Sequence, residues 1–142
     1  MLIYGIFTAN LLDKGCRTTI YHLGADYTYH ENGELSWGSK TYIEKILSSF
    51  ERMFEGERLS TRITCPLEPG DHPELDLTDF LEGNSITTYQ SLIGMLQWAI
   101  TIGRIDIQQA VMTMSRFSHK PRKGHLNRVK RIFSYLKRFE SA

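Results

Sequence analysis

Between Thr18 and Tyr29 aromatic and β-branched residues dominate, and His30-Glu-Asn-Gly33 supplies turn chemistry before Glu34-Leu-Ser-Trp37 resumes a strand-like run. This pattern predicts a β-hairpin. After Ser39, residues Tyr42, Ile43, Ile46, Leu47, Phe50, Met53 and Phe54 recur at steps of three and four, forming one helical stripe that ends at Gly56. From Leu59 to Ser85 the periodicity is lost. Pro66, Pro69, Gly70, Pro73 and Gly83 punctuate an acidic stretch there, which predicts a surface connector with one helical turn near Leu77 to Leu81. Helical spacing then returns three times. Leu92, Ile93, Leu96, Ala99 and Ile100 mark a helix from about Thr87 to Ile102, with Gly103 as its C-cap. Ile107, Ala110, Val111, Met114 and Phe117 mark a second helix from Asp106. Beyond Pro121, a third begins near Gly124 and carries Leu126, Val129, Ile132, Phe133, Leu136 and Phe139.

The expected fold is therefore α+β and mostly helical, with one β-hairpin plus a C-terminal group of three helices. Three parts follow: residues 1–58 with the hairpin and its helix, the connector 59–86, and a helical subdomain 87–142. A chain of 142 residues can bury a real core. No stretch approaches the roughly 18 apolar residues of a membrane span, and Met1–Phe7 has no basic flank to make it a secretory signal. The expectation is an intracellular protein with no membrane partner. Cys16 and Cys65 lie too far apart in sequence to suggest the disulfide framework of a small secreted fold and are expected to be reduced.

Charge changes this picture, because the net +1 conceals an asymmetry. Residues 104–142 hold ten Lys/Arg against Asp106 and Glu140, whereas residues 1–103 hold seven Lys/Arg against fourteen Asp/Glu. One end attracts polyanions while the other repels them or neutralises its neighbour, which suggests a nucleic-acid face; the other reading is an ordinary solvated helix surface.

On the helix from Tyr89, Gln90, Gly94 and Trp98 sit at successive steps of four, so they line one face, and it is not the apolar one. Two readings are open. A small residue permitting close approach, a flat indole and an amide would suit a helix laid along the minor groove of a duplex, sensing shape more than sequence. Alternatively, Gly94 is a notch for helix packing and Trp98 a core residue. The cations that follow fall into a loop cluster, Lys120, Arg122 and Lys123, well placed to touch phosphates, and a less selective helical set, Arg128, Lys130, Arg131, Lys137 and Arg138, in which Arg128 and Arg131 share a face. Cys65, His72, His119 and His125 fit no compact zinc spacing, neither cysteine sits in a nucleophile motif, and no Walker-type glycine loop occurs. No metal or cofactor is expected.

The run Tyr89-Gln-Ser-Leu-Ile-Gly-Met-Leu-Gln-Trp98-Ala, then Gly103-Arg-Ile-Asp106, Ser115-Arg-Phe117 and Arg131-Ile-Phe-Ser-Tyr-Leu-Lys137, resembles the thumb and connection region of Ty1/copia-type retrotransposon reverse transcriptases. Tyr21-His-Leu-Gly-Ala-Asp26 resembles the hairpin after the catalytic palm, Lys40-Thr-Tyr-Ile-Glu-Lys-Ile46 the next helix, and Ser60-Thr61 with Pro66 the following linker. The resemblance implies that Tyr21, His22, Leu23 and Gly24 support a primer terminus. It also implies that Gln90, Gly94 and Trp98 follow the minor groove and that Arg122, Lys123, Arg128 and Arg131 steer phosphates.

Some family features are absent. The family's polymerase centre uses adjacent aspartates that hold magnesium, and no Asp-Asp pair occurs in this chain. Met95 stands where retroviral relatives carry a cation, and Arg104-Ile-Asp106 replaces a more usual Arg-Pro-Asp. The expected function is that of a truncated retrotransposon polyprotein fragment, not an enzyme on its own. Its expected partners are an RNA–DNA or DNA duplex and the remainder of the polyprotein, with magnesium belonging to the intact parent enzyme. The other readings are a free-standing nucleic-acid-binding helical module and a relic without function.

Overall fold

The computed structural model describes residues 18–140; the sequence readings on Met1–Phe7 and Cys16 lie outside them. β1 (Thr18–His22), β2 (Ala25–Tyr29) and β3 (Leu35–Gly38) form one antiparallel sheet in chain order. Its register aligns Ile20 with Tyr27 and Tyr27 with Trp37. The stretch expected as one strand is thus folded in two, by a two-residue turn at Leu23 (φ 50°) and Gly24 (φ 90°). Two successive positive φ angles match the twist of paired strands, which is why such tight turns favour Gly or Asn. Leu23 offers no such signal, so the residue pattern missed this hairpin, which precedes the one expected at His30–Gly33 and falls where the resemblance put one, at Tyr21–Asp26. There, His30 and Glu34 close the loop through the His30 N–H donating to the Glu34 carbonyl at 2.9 Å.

Among the described residues there are four helices, α1 (Lys40–Met53), α2 (Asn84–Thr101), α3 (Gln108–Ser115) and α4 (Lys123–Arg138). α1 buries Ile43, Ile46, Leu47 and Phe50, the stripe its spacing predicts. The Asp26 carboxylate on β2 accepts the Thr41 N–H at 2.8 Å and so satisfies one of the donors left open at the start of α1. At the other end, Gly56 takes φ 82° and donates its N–H to the Glu51 carbonyl at 2.8 Å, closing the helix. In the connector, the short helical turn falls at Pro73–Leu75 instead of near Leu77 to Leu81. Proline at the first helical position fixes φ and lacks the N–H that would be unsatisfied there. Another 3₁₀ turn, Ile105–Ile107, leads into α3.

Phe50 from α1, Leu81 from the connector, Tyr89, Leu92 and Leu96 from α2, Met114 from α3 and Phe133 from α4 share one core cluster. The Phe50 and Phe133 rings stack with centroids 4.9 Å apart. Each such side chain contributes about 1.5–3 kcal/mol by leaving water. Tyr89 is also enclosed, and its hydroxyl donates to the Met114 carbonyl at 2.7 Å, so the polar tip is satisfied while burial raises its pKa. The α+β class expected from the pattern holds, with four helices and one three-stranded sheet among the described residues. No described helix is long and apolar enough to cross a membrane.

Candidate nucleic-acid interface

Leu92, Ile93 and Leu96 turn α2 toward the core, which leaves Gln90, Gly94 and Trp98 on its exposed side. At 1.5 Å rise per residue this ridge runs about 12 Å. A Cβ built on Gly94 meets nothing within 4 Å, so no element of the described chain uses the glycine as a packing notch. Trp98 is 43 % exposed and lies outside the core. One end of the ridge is tied down, because the Gln90 Nε2 donates to the Ser118 carbonyl at 3.0 Å.

The other end meets the β1–β2 turn. A Cβ on Gly24 would stand 2.6 Å from the Trp98 Nε1, so the turn rests on the indole edge at a distance that only glycine permits. The two sets of residues implied by the resemblance, Tyr21–Gly24 and Gln90–Trp98, thus form one continuous surface. Leu23 projects from it, 65 % exposed. Tyr21 lies under the Lys45 ammonium, 3.7 Å from its ring centroid, and the His22 Nε2 is buried without a hydrogen-bond partner. Trp37, which the sequence did not single out, is exposed on β3, and its Nε1 lies 3.8 Å from a Cβ built on Gly103 beyond the end of α2.

The four cations expected to steer phosphates are held by the acidic connector. Arg128 donates to both Asp71 oxygens, at 2.6 and 2.9 Å, and also to Asp76. Arg131 pairs with Glu68 at 3.0 Å, Lys123 with Asp79 at 3.1 Å, and Arg122 donates to the Thr78 carbonyl at 2.6 Å while lying 3.8 Å from the Phe80 ring centroid. Lys130 joins Glu57 at 2.6 Å, and Arg138 donates to the Arg62 carbonyl at 3.1 Å. The connector therefore runs along α4 as a strap from the helix's C-terminal end to its N-terminal end.

Gly124 makes room for this strap. Its missing side chain leaves space for the Asp76 carboxylate, which a Cβ would overlap, and its N–H donates to the Thr78 hydroxyl at 2.8 Å. Burial alone would raise the Asp76 pKa, but the Thr78 hydroxyl and N–H and the Arg128 guanidinium outweigh it and hold it at about 2. Hydrogen bonding to Arg128 likewise lowers Asp71.

A protein of Saccharomyces cerevisiae named for transposon Ty5-1 is 31 % identical over 115 residues, which is 80 % of this chain and 35 % of that protein. The retrovirus-related Pol polyprotein from transposon RE1 of Arabidopsis thaliana is 36 % identical over 74 residues, 52 % of this chain and 5 % of the polyprotein. The corresponding polyprotein from transposon TNT 1-94 of Nicotiana tabacum is 31 % identical over 96 residues, 68 % of this chain and 7 % of its own length. The chain is of retrotransposon-polyprotein origin. It spans about a third or less of each of these relatives. No family model and no solved structure matches it.

Two polar groups of this retrotransposon-derived chain turn out to be internal ties. Arg104 is 1 % exposed; it donates to both Asp106 oxygens at 2.9 and 2.8 Å and to the Phe139 carbonyl at 2.8 Å, joining the end of α2 to the end of α4. Burial would raise Asp106, but the Arg104 fork beside it wins and lowers its pKa. His125 is buried against Phe117, with ring centroids 4.1 Å apart. Its Nδ1 accepts the Arg122 N–H at 3.1 Å, which puts the ring proton on Nε2, 2.9 Å from the Pro73 carbonyl. Both nitrogens are therefore occupied. Among the described residues, no three His, Cys, Asp or Glu side chains converge on a common point that could hold a metal ion.

Proposed function

We propose that this chain is the template–primer-holding part of a retrotransposon reverse transcriptase and that it grips a duplex which another region of the polyprotein processes. The observation that carries this reading is the open ridge of Gln90, Gly94 and Trp98, continuous with the Leu23–Gly24 turn. A bare helical glycine between an amide and an indole lets a helix approach a groove edge closely, while the flat ring lies against sugars. Tyr21 to Gly24 then stand beside the primer terminus at the Trp98 end.

The residues present do not fit the magnesium site of the parent family. The two neighbouring aspartates of the strap, Asp71 and Asp76, are already ion-paired with Arg128, and no chemical step is assigned to this chain. Polymerisation by the purified chain with magnesium and nucleotides would overturn that assignment.

Gly94→Leu tests the grip. Because the position touches nothing in the fold, leucine is tolerated there, and its helix propensity stabilises α2 by up to about 1 kcal/mol over glycine. The expected result is unchanged or higher thermal stability with at least about a tenfold loss of affinity for an RNA–DNA hybrid in fluorescence anisotropy at low salt, since a branched side chain blocks the approach. Equal affinity of variant and wild type would sink the ridge reading, and no binding by the wild type would favour the relic.

A further inference from the structure

The strap leaves open which side chains meet phosphates if the ridge lies on a duplex. Arg128 and Arg131 spend their charge on connector carboxylates, Arg128 on two of them, and Lys130 spends its charge on Glu57 just before the connector. Engaging a phosphate with Arg128 would strand the part-buried Asp71 and Asp76, an exchange that costs more than a surface contact returns, and Lys130 and Arg131 would first have to release Glu57 and Glu68. A second set of polar groups has no such commitment.

The bond from Gln90 to the Ser118 carbonyl pins the α3–α4 loop beside the N-terminal end of the ridge, and the next two residues are His119 and Lys120. Both are exposed, and neither makes an ion pair or a side-chain hydrogen bond among the described residues. The Lys120 ammonium rests 4.4 Å from the Phe80 ring centroid, a contact that holds the cation in place without neutralising it. Arg116, slightly earlier in the chain, is within electrostatic range of Glu74 and is left out of the pair.

We infer that His119 and Lys120, not the basic residues of α4, contact the phosphate backbone of the duplex, at the Gln90 end of the ridge and opposite the Leu23–Gly24 turn. This assignment rests on the duplex-holding reading above and names the charged end of the same site. One Lys and one His are few contacts, so the surface grips shape and position while electrostatic attraction stays modest. Such a surface suits a site that must let a duplex slide.

Lys120→Glu and Lys137→Glu make the same change of charge. Lys137 lies at the far end of α4, where its partner is Glu140, and screening over about 20 Å of helix separates it from the loop. Binding of an RNA–DNA hybrid and of a DNA duplex is followed by anisotropy across a salt series, with thermal melts of each variant in parallel. Lys120→Glu is expected to lower affinity about tenfold and to flatten the logarithmic salt slope by about one. Lys137→Glu is expected to change affinity less than about twofold, and Lys120→Arg to restore binding.

Wild-type binding that Lys120→Glu leaves intact would overturn this assignment alone. So would an equal loss in both charge-reversal variants. A wild-type chain that binds neither duplex at low salt would overturn the duplex-holding reading as well, so the two failures are distinguishable.

Discussion

The strap along α4 and the ridge on α2 are opposite solutions to placing polar groups on helices that pack into one core. On α4, cations meet carboxylates and carbonyls delivered by the connector, so the most basic segment of the chain is satisfied internally. On α2, an amide, a glycine and an indole face outward with little covering them. The difference teaches that charge density alone is a poor guide to a polyanion site: what matters is which charges the fold has left without a partner.

Breaking the strap should have the largest effect. Arg128→Ala removes the guanidinium between Asp71 and Asp76, whose side chains are 20 % and 6 % exposed, and leaves two part-buried carboxylates without their cation. A loss of about 3 kcal/mol is expected from denaturant unfolding, in contrast with the neutral or stabilising Gly94→Leu on the ridge. A loss below about 1 kcal/mol would mean that the strap is a loosely held surface feature.

Acid should loosen the same region more gently. The Asp76 pKa is lowered from 3.8 to about 2 in the folded chain, so below the ordinary carboxylate pKa the unfolded chain takes up protons that the folded chain does not. The stabilisation is complete above about pH 4 and is lost as pH falls through about 2, at a total of roughly 2 kcal/mol. Stability measured against pH should show this loss in the wild type and a shallower one in Asp76→Asn.

The smallest effect belongs to the junction of sheet and ridge. Gly24→Ala sets a methyl group against the Trp98 Nε1 at a residue with φ 90°. A destabilisation of about 1–2 kcal/mol is expected, together with a shift in tryptophan emission as the indole is displaced. Unchanged emission would separate the two halves of the surface.

Helix positions were legible because each helix buries a stripe at steps of three and four, as Ile43, Ile46, Leu47 and Phe50 show. The ridge was legible for the complementary reason, since Gln90, Gly94 and Trp98 fall off that stripe. The β1–β2 turn was legible only through the family resemblance at Tyr21–Asp26 and not in the residue pattern, because Leu23 adopts a left-handed conformation that its side chain does not advertise. Arg104 was hidden by its type: arginine is ordinarily a surface residue, and only the carboxylate two positions on and a carbonyl 35 positions on make its burial tolerable. The strap was hidden by distance, since its contacts join residues 44 to 77 positions apart and leave no local pattern.

That separation also dictates the order of events during synthesis. The acidic segment leaves the ribosome well before the helix that neutralises it, so its carboxylates must wait in water until α4 has emerged and coiled. The strap therefore cannot close before α4 has been made.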